Sequence, residues 1–105
     1  MSTRNQNLRT GCPIEAALDM IGGKWKGMII YYLIDGKMRF TTLQRAIPTV
    51  THSMLIRQLR QLERDGIVMR SVQTEGEIKV EYSLTDYGLA LKPILLNLRI
   101  WGMGR

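Results

Sequence analysis

The 105-residue sequence contains one cysteine, Cys12, and one histidine, His52. A single cysteine excludes an intramolecular disulfide framework. The two residues together fall short of the four nitrogen or sulfur ligands that a zinc site usually takes. They stand 40 positions apart with no third residue to orient them, which leaves no case for a nucleophile and its base. The sequence also lacks a phosphate-cradling glycine loop and a dinucleotide fingerprint. Enzyme activity, a metal or a cofactor is therefore not expected. No run approaches the roughly 18 uninterrupted apolar residues of a membrane span. Residues 1–11 are polar, with Arg4 and Arg9 but no apolar stretch, so they read as a flexible tail and not as a secretory leader. A cytoplasmic location follows.

What the chain does hold is 45% hydrophobic residues, enough for one compact core, and a single domain is expected over residues 12–105. It also holds concentrated positive charge. Of the net +6, a segment from Lys37 to Arg70 supplies +5: Lys37, Arg39, Arg45, Arg57, Arg60, Arg64 and Arg70 against Glu63 and Asp65. Such a patch is the usual footprint of a polyanion binder. A merely solvated basic face would have the same composition.

The order of elements narrows that choice. Cys12-Pro13-Ile14-Glu15 reads as a helix start, because proline suits the first helical position and an acid complements the positive end of the helix dipole. Ile14, Ala17, Leu18 and Ile21 form its apolar stripe, and Gly22-Gly23 ends it. The apolar run 28–34 after Trp25 fits a buried strand or helix equally well by periodicity. Asp35-Gly36 turns the chain, and Arg39-Phe40 suits a very short strand. Thr41-Thr42-Leu43-Gln44 then has the form of a capping box opening a short helix through about Ala46, which Pro48 halts.

Thr51 is a good N-cap for the next helix, 51–65. Leu55, Leu59 and Leu62 mark its inward stripe, and Ser53, Arg57, Arg60 and Arg64 fall near 180° from it at 100° per residue. Gly66 suits the left-handed stop. A short helix, a tight turn and a second helix with a positive outer face form a helix-turn-helix.

Two strands, 67–72 and 78–84, flank a hairpin tip at 74–77. In the second, Ile78, Val80, Tyr82 and Leu84 alternate with Lys79, Glu81 and Ser83, which predicts one buried and one wet face. Thr85 caps a last helix to about Trp101. Its apolar residues wrap more than one side, more than a small monomer can cover. The spare face is expected to meet a second copy of the chain, with Ile14, Leu18, Leu95, Leu98 and Trp101 at the interface.

Several stretches together resemble the HxlR-type winged helix-turn-helix regulators, relatives of the MarR group. They are Cys12-Pro13-Ile14-Glu15, Ile21-Gly22-Gly23-Lys24-Trp25-Lys26, Gly36-Lys37-Met38-Arg39-Phe40, Leu55 to Leu62 with Glu63-Arg64-Asp65-Gly66-Ile67-Val68, and Val80-Glu81-Tyr82-Ser83-Leu84-Thr85 with Gly88. They span residues 12 to about 102. The resemblance implies an α+β fold, a winged helix-turn-helix dimerising through its N- and C-terminal helices, with residues 24–34 helical. It implies a bacterial, homodimeric, DNA-binding transcription regulator, and a repressor is the expected form. At the Cys12-Pro13 position several members sense quinones, aldehydes or oxidants. The positive dipole end favours a reactive thiol there, and Glu15 opposes it. The acidic Glu75 and Glu77 depart from the family's usual hairpin tip and would be repelled by phosphates.

For such a regulator, Thr51, His52 and Ser53 would point at base edges from the first turn of the reading helix. Arg57 and Arg60 have the reach for guanines or phosphates. Lys24, Arg39, Thr41, Thr42 and Lys79 are candidate phosphate anchors. The partner would be double-stranded DNA carrying a pseudo-palindromic operator, since a two-fold dimer sets its reading helices about 34 Å apart. One alternative is a regulator answering to a small ligand between the apolar helices, with Cys12 inert. Another is a nonspecific nucleoid or RNA-binding protein, although the few aromatic residues fit core positions and not stacking platforms.

Overall fold

Helix boundaries fall where side-chain and backbone chemistry puts them in this computed structural model, which describes residues 12–105. The tail expected at 1–11 lies outside the described residues. Helix α1 (Pro13–Ile21) opens on proline with Cys12 as N-cap and Glu15 in its first turn. It closes at Gly22, whose amide donates to the Leu18 carbonyl. The ambiguous apolar run is a helix, α2 (Lys26–Leu33), which sinks Ile29, Ile30 and Leu33 into the core.

Strand β1 (Met38–Arg39) leads directly into α3 (Phe40–Ala46), and α4 (His52–Arg64) completes the helix-turn-helix. The Thr51 hydroxyl accepts the Met54 amide at 3.2 Å, so the expected cap is in place. Gly66 stops the helix at φ +75°. Strands β2 (Val68–Gln73) and β3 (Lys79–Leu84) form the hairpin, followed by α5 (Asp86–Leu89) and α6 (Lys92–Met103). The antiparallel sheet runs β1-β3-β2, with Met38 opposite Tyr82, Arg70 opposite Tyr82 on the other side, and Ser71 opposite Glu81.

A single core joins the three leucines of α4 to Ile29, Ile30 and Leu33 of α2, Leu43 of α3, and Ile67, Val68, Tyr82 and Leu84 around the sheet. Burying each such aliphatic side chain contributes about 1.5–3 kcal/mol. The apolar face of α4 is therefore fixed and its polar face is the free one. The far end of α4 is tied down as well. The Thr85 hydroxyl accepts the Gly88 amide at 3.0 Å and donates to the Gly66 carbonyl at 2.6 Å, while the Thr85 amide donates to Ile67 O at 3.0 Å. Gly88 is buried so closely on the Ile67 carbonyl that a Cβ would collide with it.

Four expectations need correction. The Thr41–Gln44 capping box does not form, because pairing of Arg39 with Glu81 holds the chain extended only as far as Arg39 and the helix starts at once on Phe40. Gln44 instead donates its side-chain amide to the Val50 carbonyl at 2.8 Å, bracing the turn before α4. The last helix is two helices, because Pro93 lacks an amide hydrogen and its ring clashes with a preceding carbonyl. It is tolerated only in a first turn, which is where α6 places it. Ile78 is 67% exposed, since β3 begins one residue later and the hairpin projects beyond the core. Leu95 belongs to the core at 8% exposure and has little surface left for a partner.

Candidate nucleic-acid interface

The free face of α4 carries Ser53, Arg57, Arg60 and Arg64, all exposed. With His52, Ile56 and Gln61 they line one continuous depression along the helix. Two ion pairs occur among the described residues, Lys37 with Glu81 and Arg70 with Glu63, each at 3.6 Å. Neither neutralises Arg57, Arg60 or Arg64, so three guanidinium groups are presented within two turns of one helix. Repulsion between them is tolerated because water screens exposed charges.

The first turn is more ordered than its exposure suggests. Thr51 spends a lone pair on the helix cap and keeps its hydroxyl proton for another acceptor. The His52 ring rests edge-on against Phe40, with centroids 4.9 Å apart. Phe40 in turn packs toward Tyr82 of the sheet. That chain of rings fixes the start of α4 relative to β3.

The remaining candidates divide into groups. Thr41 and Thr42 are exposed on α3, next to α4 in the helix-turn-helix. Arg39 and Lys79 lie half-buried on β1 and β3, on the sheet face shared with Glu81. Lys24 belongs elsewhere: its ammonium sits 4.9 Å from the Trp25 ring centroid, and it lines a groove between α2 and α6 with Leu95, Leu98 and Arg99. The hairpin tip with Glu75 and Glu77 is exposed.

Three residues missed in the sequence, Glu63, Arg70 and Tyr82, lie between α4 and the hairpin beside the expected His52 and Arg60. There an open cleft of about 510 Å3 is lined by His52, Arg60, Glu63, Arg70 and Tyr82. Burial pushes the Tyr82 phenol up from its usual 10.0, and the Glu63 carboxylate adds to this while Arg70 and Arg60 pull the other way. Tyr82 is thus a proton-bearing donor at neutral pH. No local pattern marks this cleft, because Arg70 comes opposite Tyr82 only through the register of the folded hairpin.

Cys12 is a free, exposed thiol at the head of α1. That helix buries none of its residues, leaving Ile14 and Leu18 exposed beside an apolar cavity of about 210 Å3 that Met20, Ile21, Tyr87, Leu91 and Ile94 help to line. Exposed apolar side chains recur along α6, at Leu98, Ile100, Trp101 and Met103. No three His, Cys, Asp or Glu side chains gather as a metal site among the described residues. None of the described helices is long and apolar enough to cross a membrane.

Comparison with known proteins decides what kind of helix-turn-helix this is. The profile of the HxlR-like helix-turn-helix family matches residues 20–105. The chain belongs to that family. Its relative YdeP of Bacillus subtilis, named an HTH-type transcriptional regulator, is 52% identical over 92 residues, 88% of this chain and 72% of YdeP. The redox regulator HypR in its oxidized form superposes with a TM-score of 0.85 at 52% identity, covering 90% of this chain and 97% of that one. Quinone-bound YodB from B. subtilis gives 0.75 at 35% identity, covering 90% and 100%. This HxlR-like chain is a helix-turn-helix transcriptional regulator, a DNA-binding protein and not an enzyme, with the winged-helix fold of these neighbours.

Proposed function

We propose that the protein is a homodimeric repressor that reads a pseudo-palindromic operator with α4 and leaves it when Cys12 is modified. The observation that carries the reading is the exposed, unneutralised face of Arg57, Arg60 and Arg64 on a helix whose opposite face is locked in the core. Thr51, His52 and Ser53 then meet base edges, and Arg57 and Arg60 meet guanines or phosphates. Thr41, Thr42, Arg39 and Lys79 serve as phosphate anchors from α3 and the sheet, and Lys24, grouped with α6, is not among them. The acidic wing tip stays clear of the backbone. Ile14, Leu18, Leu98 and Trp101 supply the dimer contact, since exposed apolar side chains on two helices favour a covered interface.

Control by Cys12 draws support from its exposure at the head of a helix that buries none of its residues and would carry the dimer contacts proposed above. HypR is a redox regulator, and YodB has been seen with quinone bound. With one cysteine per chain, the Cys12 sulfur either adds to a quinone ring carbon, the proton passing to the quinone oxygen, or joins the partner's Cys12 as two electrons and two protons pass to an oxidant. A second reading, in which a small apolar effector acts and Cys12 is inert, is favoured by the cavity between α1 and α5–α6.

The test is selection of bound fragments from the source organism's genomic DNA, with and without a quinone, for the natural protein and Cys12→Ser. One enriched motif for both proteins, lost on quinone treatment by the natural protein alone, is expected. Equal loss by both removes Cys12 from the mechanism, and no enriched motif removes operator reading.

A further inference from the structure

Glu63 and Arg70 lie off the outer face of α4, in the cleft between that helix and the hairpin. The cleft draws its polar side chains from three elements: His52, Arg60 and Glu63 of α4, Arg70 of β2 and Tyr82 of β3. His52 and Arg60 also line the depression on the outer face of α4, so the two surfaces are continuous. Tyr82 is only 8% exposed. Side-chain hydrogen bonds among the described residues employ Gln44, Thr51, Gln58, Thr85 and Tyr87 but leave the Tyr82 hydroxyl without a protein partner. On the wall of an open cleft, that hydroxyl can donate to water or to an acceptor that displaces the water. The charges that act on it are those of Glu63, Arg70 and Arg60, which puts all three around the same spot.

We propose that this cleft seats one backbone phosphate of the DNA, with Arg60 and Arg70 supplying charge and the Tyr82 hydroxyl a hydrogen bond, and that Glu63 holds Arg70 until the phosphate replaces it. The proposal rests on α4 facing DNA as described above. The Glu63–Arg70 pair is half exposed and long, at 3.6 Å, and pairs of that kind are weakly held. A phosphate accepts two parallel guanidinium hydrogen bonds and is the better partner. The exchange is purely ionic: the carboxylate returns to water and counterions leave the DNA. Glu63 thereby lowers affinity for every duplex alike, because every DNA site must first displace it. The seat also gives the wing a DNA contact at its base, where its acidic tip gives none.

The experiment measures binding of the full chain to a selected operator fragment and to a random duplex across a salt series, for the natural protein, Arg70→Gln, Glu63→Gln, Tyr82→Phe and Arg57→Ala. Arg70→Gln should weaken both duplexes by the same factor, about three- to tenfold, and reduce the log–log salt slope by about 1. Tyr82→Phe should weaken both with the slope unchanged. Glu63→Gln should tighten both several-fold, a gain that misfolding cannot produce. Wild-type affinity and slope in Arg70→Gln, or no tightening in Glu63→Gln, overturns the phosphate seat. If Arg57→Ala is silent and the natural protein ignores sequence while Arg70→Gln still lowers the slope, the operator reading fails and the seat stands.

Discussion

Replacement of Thr85 by valine should loosen the junction between α4 and α5 by an amount the structure sets. Valine keeps the shape and removes the hydroxyl. The Gly88 amide, which donates to that hydroxyl at 3.0 Å, is buried. It is left without its acceptor, at a cost of about 1–3 kcal/mol, and loss of such a helix cap is typically about 1 kcal/mol. The Gly66 carbonyl at the other end of the network is exposed and recovers a water, so it adds little. A loss of about 2 kcal/mol follows, equivalent to a fall of roughly 10 °C in Tm for a domain of this size. Thr85→Ser retains both bonds and should lose less than about half of that. Urea and thermal unfolding at one fixed protein concentration, required because dimers gain stability by mass action, measure both variants. Equal losses in Thr85→Val and Thr85→Ser, or none in either, would refute the role of the hydroxyl.

Three other outcomes follow from the same geometry. Gly88→Ala should destabilise by about 1–3 kcal/mol, because its Cβ meets the Ile67 carbonyl backbone; a neutral or stabilising change in urea unfolding speaks against that packing. Trp101→Ser, altering a side chain that is 74% exposed, should leave the fold intact yet weaken self-association at least tenfold, about 1.4 kcal/mol. Sedimentation equilibrium showing unchanged association removes Trp101 from the interface. Tyr82 keeps its proton longer folded than unfolded, so the unfolded chain releases protons first as pH rises past 10.0 and stability falls from there to the folded value. Alkaline unfolding curves should be shallower for Tyr82→Phe, and identical curves contradict the cause assigned to the shift.

The helix-turn-helix was legible because its signals are local. The leucine stripe 55, 59 and 62, the Thr51 cap and the Gly66 stop each act within one or two turns. What misled were local patterns overruled by context. Thr41-x-x-Gln44 has the form of a cap, but strand pairing at Arg39 starts α3 earlier and frees Gln44 to brace the turn. The apolar pattern after Thr85 runs on without a gap, and Pro93 alone divides it. Ile78 alternates correctly yet lies beyond the part of the hairpin that any core residue covers. Of the candidate site, the α4 face could be read from 100° geometry. The cleft could not, since Arg70 meets Glu63 and Tyr82 only through tertiary packing and strand register. Lys24 shows the converse limit, a plausible anchor in sequence that folding groups with α6.

The central claim is that the exposed face of α4 reads DNA sequence, and Arg57 tests it most directly. It is exposed, engages in neither ion pair among the described residues, and contributes nothing to the core, so its loss leaves the fold alone. Affinities of the natural protein and Arg57→Ala for the selected operator and for a random duplex, at matched salt, are the measurement. The account predicts a loss of about 1–3 kcal/mol on the operator and a much smaller one on random DNA. Equal affinity of both proteins for the operator, or the same loss on both duplexes, would contradict it.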